Sequence, residues 1–107
     1  MTAPAVHRPM PSYILLVNYP PGAREKIRDF PKGRDLVNDM VAKAGGKIWR
    51  HFTQGPYDAV VFLEMPSEAE AQKLVMFVGT LGIQTITMRS FSEAEFVKMI
   101  GELPPRT

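Results

Sequence analysis

A small α+β domain of the ferredoxin-like βαββαβ type, with an antiparallel four-stranded sheet, is the fold that this 107-residue sequence predicts. Three observations carry that reading. Segments rich in β-branched and aromatic residues alternate with helical ones in the order strand, helix, strand, strand, helix, strand. The turn Gly55-Pro56-Tyr57-Asp58 runs directly into the apolar stretch Ala59-Val60-Val61-Phe62-Leu63, which marks a hairpin. The strands also carry apolar residues on both of their alternating sets, so the sheet is buried on both faces.

The elements follow in order. Ser12 to Tyr19 reads as the first strand and is stopped by Pro20-Pro21-Gly22. A helical region covers Ala23 to Ala44, and Pro31 is expected to break or kink it near Phe30. Leu36, Val37, Met40, Val41 and Ala44 repeat at helical spacing before the Gly45-Gly46 stop. Lys47 to Thr53 is the second strand, Gln54 to Tyr57 the connection, and Asp58 to Met65 the third strand. Ser67 and Glu70 have capping-box spacing and open a helix that runs to Leu81. Ile83 to Phe91 is the fourth strand. Ser92 and Glu95 then repeat the capping-box spacing and start a short terminal helix through Gly101.

Composition sets the boundaries and the exclusions. Prolines at 4, 9 and 11 make residues 1–11 an extended tail; residues 12–103 form the single domain, and 104–107 a short C-terminal tail. Apolar residues at 45% and charged residues at 22% are ordinary for a globular chain. A net charge of +2 is too small to argue for nucleic acid. The absence of cysteine excludes disulfides, thiol catalysis and zinc–thiolate sites. No apolar run reaches the roughly 20 residues of a membrane span, and residues 1–11 lack the apolar core of a signal peptide. A cytoplasmic location, no membrane and no nucleic-acid partner are the expectations. No cofactor is implied.

Period-2 alternation divides the strands. Leu15, Val17, Ile48, Phe52, Ala59, Val61, Leu63, Ile86 and Met88 are assigned to the face under the helices, where Arg50 is an awkward companion. Ile14, Leu16, Asn18, Trp49, His51, Thr53, Asp58, Val60, Phe62, Glu64, Thr85, Thr87 and Arg89 fall on the other face. Five of these are large and apolar: Ile14, Leu16, Trp49, Val60 and Phe62. Burying them against a second copy is expected to supply roughly 10 kcal/mol per subunit before association costs. A homodimer through the helix-free sheet face is the expected assembly.

Residues 12–100 resemble the GYD domain family, named for a Gly-x-Tyr-Asp turn that stands here as Gly55-Pro56-Tyr57-Asp58. Pro11-Ser12-Tyr13-Ile14, Gly45-Gly46-Lys47, Gly79-Thr80-Leu81-Gly82 and Arg89-Ser90-Phe91-Ser92 add to the resemblance. It implies a ferredoxin-like fold forming a dimeric α/β barrel, and it supplies no catalytic residues.

The chemistry-bearing residues each have a bland alternative. Asp58 and His51 are the catalytic candidates: a carboxylate beside Val60 and Phe62, and the sole histidine of the folded part. Asp58 equally suits fixing the hairpin turn, and His51 suits an interface. One histidine among scattered acids makes a poor metal site, so none is assigned. Asn18, Trp49, Tyr57, Phe62, Thr87 and Arg89 are the ligand-binding candidates. Arg89 suits a carboxylate or phosphate, while Trp49 and Phe62 suit a flat ring; an ion pair and ordinary packing are the alternatives. The basic run Arg24, Lys26, Arg28, Lys32 and Arg34 is interleaved with Glu25, Asp29 and Asp35 and reads as a solvated surface. No phosphate loop, nucleophile elbow or metal-binding helix motif is present. Three readings follow: a homodimer holding a small apolar or aromatic molecule between its sheets, a cofactor-independent isomerase, cyclase or oxygenase using His51 or Asp58, or an interaction module with no ligand.

Overall fold

The computed structural model describes residues 10–106. The strands are β1 (Ser12–Asn18), β2 (Lys47–Phe52), β3 (Ala59–Glu64) and β4 (Gln84–Ser90); the helices are α1 (Phe30–Ala44), α2 (Glu68–Thr80) and α3 (Glu93–Gly101). They form one antiparallel sheet in the order β2-β3-β1-β4. The β1-α1-β2 crossover leaves a gap that β3 fills, the split βαβ arrangement of a ferredoxin-like fold. Residues 1–9 of the Pro-rich segment lie outside the described residues, but Pro11 already belongs to the fold, since its carbonyl accepts from the Met65 N–H at 3.1 Å.

One face of the sheet is covered. Tyr13, Leu15 and Val17 of β1 and Ala59, Val61 and Leu63 of β3 meet Val37 and Val41 of α1 and Ala71, Leu74 and Val78 of α2. All are buried, because the two central strands lie directly under the two helices. Leu36, at helical spacing with the core set, is instead 52% exposed.

Pro31 does not kink a long helix. Residues 21–26 form turns, Ile27–Asp29 a single 3-10 turn, and Pro31 sits in the first turn of α1. An N–H missing there interrupts no helical hydrogen bond, and the fixed φ of proline favours a helix start. At the other end Gly45 adopts φ 85° and closes α1, with Gly46 N–H donating to Val41 O at 2.9 Å. Gly46 is needed for a second reason: a Cβ there would lie 2.5 Å from the Glu64 carbonyl oxygen.

The register corrects the expected placement of β4. Leu16 faces Ile86 and Ile14 faces Met88, so these four side chains share the helix-free face. Thr85, Thr87 and Arg89 are paired with Val17, Leu15 and Tyr13 and point to the helix side. The assignment by apolarity failed because β4 is an edge strand, and its helix-side positions Thr87 and Arg89 lie exposed. The helix-free face therefore presents Ile14, Leu16, Trp49, Val60, Phe62, Ile86 and Met88, drawn from all four strands.

Candidate functional site

The turn that opens β3 is also a junction between strands. Thr53 N–H donates to Asp58 O at 3.0 Å and the Thr53 hydroxyl donates to Tyr57 O at 2.7 Å, closing the hairpin. Asp58 N–H donates to Val17 O at 2.8 Å, and Asp58 Oδ2 accepts from the Tyr19 N–H at 2.8 Å. One carboxylate oxygen is thereby tied to the backbone just beyond β1, where it fixes how the chain leaves the sheet.

Next to this junction, under the helices, lies a cavity of about 1080 Å³. Its floor is the covered sheet face at Leu15, Val17 and Val61, its walls include Val37 of α1 and Leu74 and Val78 of α2, and residues 19–31 form its rim. It sits at the end of the sheet where segment 20–29 turns away before α1 begins. The large cavity is thus on the opposite side of the sheet from the inter-sheet space expected from the sequence. The helix-free side holds a smaller pocket of about 430 Å³ between Leu16, Asn18, Tyr57, Gln84, Thr85 and Ile86.

Aromatic rings and the half-buried guanidinium of Arg50 mark the inner part of the larger cavity, while Arg24, Arg28 and Arg34 line it from exposed positions. Tyr19, Phe30 and Phe52 form an edge-to-face chain, with centroids 6.2 Å and 5.3 Å apart. Arg50 lines the same space from β2 and donates from Nη1 to Asn38 Oδ1 of α1 at 2.8 Å. Among the described residues, no carboxylate lies within ion-pair distance of it. Burial lowers the Arg50 pKa, the nearby Tyr19 opposes that shift and the nearby Arg34 adds to it. The guanidinium still stays protonated at neutral pH. Burial also raises the Tyr19 phenol above its usual range, so its hydroxyl is neutral at pH 7 and able to donate.

The sequence-derived candidates separate into groups. Trp49, His51 and Phe62 meet on the helix-free face: Trp49 stacks on Phe62 at 6.0 Å and His51 meets Phe62 edge-on at 5.8 Å. Asn18 and Tyr57 border the smaller pocket, and Asp58 borders the larger cavity. His51 stands opposite Val60 in the β2–β3 register, and no hydrogen bond joins it to Asp58 among the described residues. Thr87 and Arg89 belong to neither group, for the reason given by the β4 register. Arg89 lies over the rings of Tyr13 and Phe91 at 5.6 Å and 4.4 Å and donates to the carbonyls of Ser12 and Ser90. Its fork is occupied by the edge of the sheet, so it acts as a strand clamp.

The residues that sequence reasoning passed over are Arg50, Tyr19, Phe30, Phe52 and Asn38. A signal was present. Arg50 shares the parity of Ile48 and Phe52, and a cation on a buried face marks a place where charge is wanted or tolerated.

The chain matches the GYD domain across residues 13–100. It belongs to the GYD domain family. No curated protein and no solved structure gives a significant match to it. The family's namesake turn holds the Asp58 junction that joins β1 to β3. No helix among the described residues is long and apolar enough to cross a membrane, and no group of three or more histidines and acids there is placed to hold a metal ion.

Proposed function

We propose that this GYD domain protein is a homodimeric small-molecule binding protein, each subunit holding a mostly apolar ligand in the cavity beneath its helices. The cavity is the observation that carries the reading. At about 1080 Å³, with Leu15, Val17, Val61, Leu74 and Val78 among its lining residues, it has the size and apolar floor of a ligand site. Binding is favoured over proton transfer because His51 stands on the helix-free face, away from that cavity, and Asp58 holds the Tyr19 backbone.

The dimer rests on the other face. Seven large apolar side chains spread over four strands, with Trp49 46%, Ile86 49% and Met88 42% exposed, make a flat patch that a two-fold copy of itself would cover.

Native mass spectrometry of gently purified protein tests both parts. The expected species has twice the 12.0 kDa chain mass and carries a reproducible additional mass on each subunit. Phe62→Arg places a charge within the patch and is expected to give monomers that still bind the uncharged dye Nile red. Wild-type monomer at micromolar concentration would overturn the assembly; failure to bind any apolar dye would overturn the cavity reading.

A further inference from the structure

The cations that line the cavity differ in burial: Arg24, Lys26, Arg28 and Arg34 stand exposed around its mouth, whereas Arg50 is drawn inward. Arg50 carries a full positive charge into a half-buried position, yet its one side-chain partner is the neutral Asn38 oxygen, 2.8 Å from Nη1. A guanidinium has five N–H donors, and desolvating it without a counter-charge costs free energy that a structure normally recovers with a carboxylate. None of the chain's acids does so among the described residues. Asp35, the acid paired with the neighbouring Arg34, is held at 3.2 Å on the outer surface. Asp58, which borders the same cavity, is bonded to the Tyr19 backbone.

The surroundings select among anions. Asn38 anchors one nitrogen of the guanidinium to α1 and so orients the fork. A planar fork matches a planar carboxylate through two parallel hydrogen bonds. The edge-to-face chain of Tyr19, Phe30 and Phe52 lies beside the charge and offers ring edges and faces to a flat apolar body. The floor beyond is aliphatic at Leu15, Val17 and Val61, and the other cations of the lining, Arg24, Lys26, Arg28 and Arg34, lie exposed at the mouth, so no second half-buried cation joins Arg50 to favour a dianion.

We infer that the cavity is a site for an aromatic monocarboxylate, its ring system under the helices and its carboxylate paired with Arg50. This rests on the cavity being a ligand site, and it adds the charge and shape of the ligand. Tyr19 lines the same cavity, and its hydroxyl, protonated at neutral pH, is a further donor available there.

The test is displacement of Nile red from the intact protein by naphthalene-2-carboxylate and by naphthalene-2-carboxamide, which differ in charge but barely in shape. The carboxylate is expected to displace the dye at least about tenfold more effectively, the worth of one charge-assisted hydrogen-bond pair. Arg50→Gln, which retains a donor towards Asn38, is expected to erase that difference, read as the ratio of the two displacement constants measured against the variant's own dye binding. Asn38→Ala keeps the charge but frees the fork, and is expected to reduce the preference only in part. Equal displacement by the two compounds, or a preference that survives in Arg50→Gln, would overturn the assignment while the cavity reading stands. Absence of dye binding would overturn both. If Arg50→Gln fails to fold, as judged by its melting transition, Arg50→Lys takes its place. That variant keeps the charge without the planar fork and is expected to lose most of the preference.

Discussion

Helices α2 and α3 begin with the same four residues, Ser-Glu-Ala-Glu at 67–70 and at 92–95, and they end up in opposite situations. Both serines cap their helices: Ser67 Oγ accepts from Glu70 N–H at 3.2 Å and Ser92 Oγ from Glu95 N–H at 3.0 Å. The α3 cap is the more complete, because Glu95 Oε1 also accepts from the Ser92 N–H at 2.9 Å, whereas Glu70 turns to Lys73. Yet α2 buries Ala71, Leu74 and Val78, while α3 buries nothing and leaves Phe96 58%, Val97 59% and Ile100 52% exposed. Capping decides where a helix starts, through local hydrogen bonds. It has no bearing on what the helix packs against, which depends on where the preceding strand delivers it. Strand β3 and Pro66 return the chain beneath the sheet; β4 is the edge strand, and the chain leaves it with no neighbour beyond.

Core truncation separates the two helices most widely. Leu74→Ala removes a side chain that is 2% exposed and is expected to cost about 2–5 kcal/mol in chemical denaturation. Ile100→Ala in α3 is expected to cost less than about 0.5 kcal/mol. A loss of several kcal/mol from Ile100→Ala that scales with protein concentration would place α3 against a second copy, and the comparison would then be one between intrachain and interchain burial.

The caps give a smaller contrast. Ser67→Ala is expected to lower global stability by about 1 kcal/mol, because unwinding the first turn of α2 loosens the core. Ser92→Ala is expected to melt α3 locally, seen as faster amide exchange over residues 93–98, while the denaturation midpoint stays put. Equal effects on the midpoint would mean that α3 is coupled to the fold after all.

The smallest effect concerns pH. The Ser92 backbone N–H, with help from its hydroxyl and the nearby Arg89, holds the Glu95 carboxyl below its usual range. A depressed folded-state pKa gives support that is complete above the ordinary glutamate range and is lost as the pH falls through the folded-state value. Protection of the α3 amides, measured relative to their intrinsic exchange rates at each pH, is therefore expected to fall on acidification below about pH 4, with Glu95→Gln removing the dependence. An α3 whose protection is flat across that range would show the capping box to be idle in solution.

Much of the fold was legible because the signals that define it are local. The serine caps, the Gly45-Gly46 stop, the Gly55-Pro56-Tyr57-Asp58 turn and the alternation in β1 and β3 each act within a few residues. Pro31 is ambiguous in the linear chain because proline starts and stops helices by the same missing N–H; which of the two applies depends on whether an α-helix precedes it, and here only turns at 21–26 and the single 3-10 turn Ile27–Asp29 do. The site was less legible. Arg50 stood out as a cation on a buried parity, but nothing in the linear chain places it beside Tyr19, Phe30 and Asn38, which come from other elements.

By itself the sequence determined the element order, the cap positions and the hairpin, since each follows from local backbone hydrogen bonding and side-chain period. Tertiary structure alone decided three matters. Ile86 and Met88 face away from the helices, because antiparallel partners share a face and β1 sets the phase of β4. The large cavity lies beneath the helices, because segment 20–29 turns away from the sheet before α1 begins. And α3 stays uncovered, because an amphipathic pattern states that an apolar face exists without stating what will meet it.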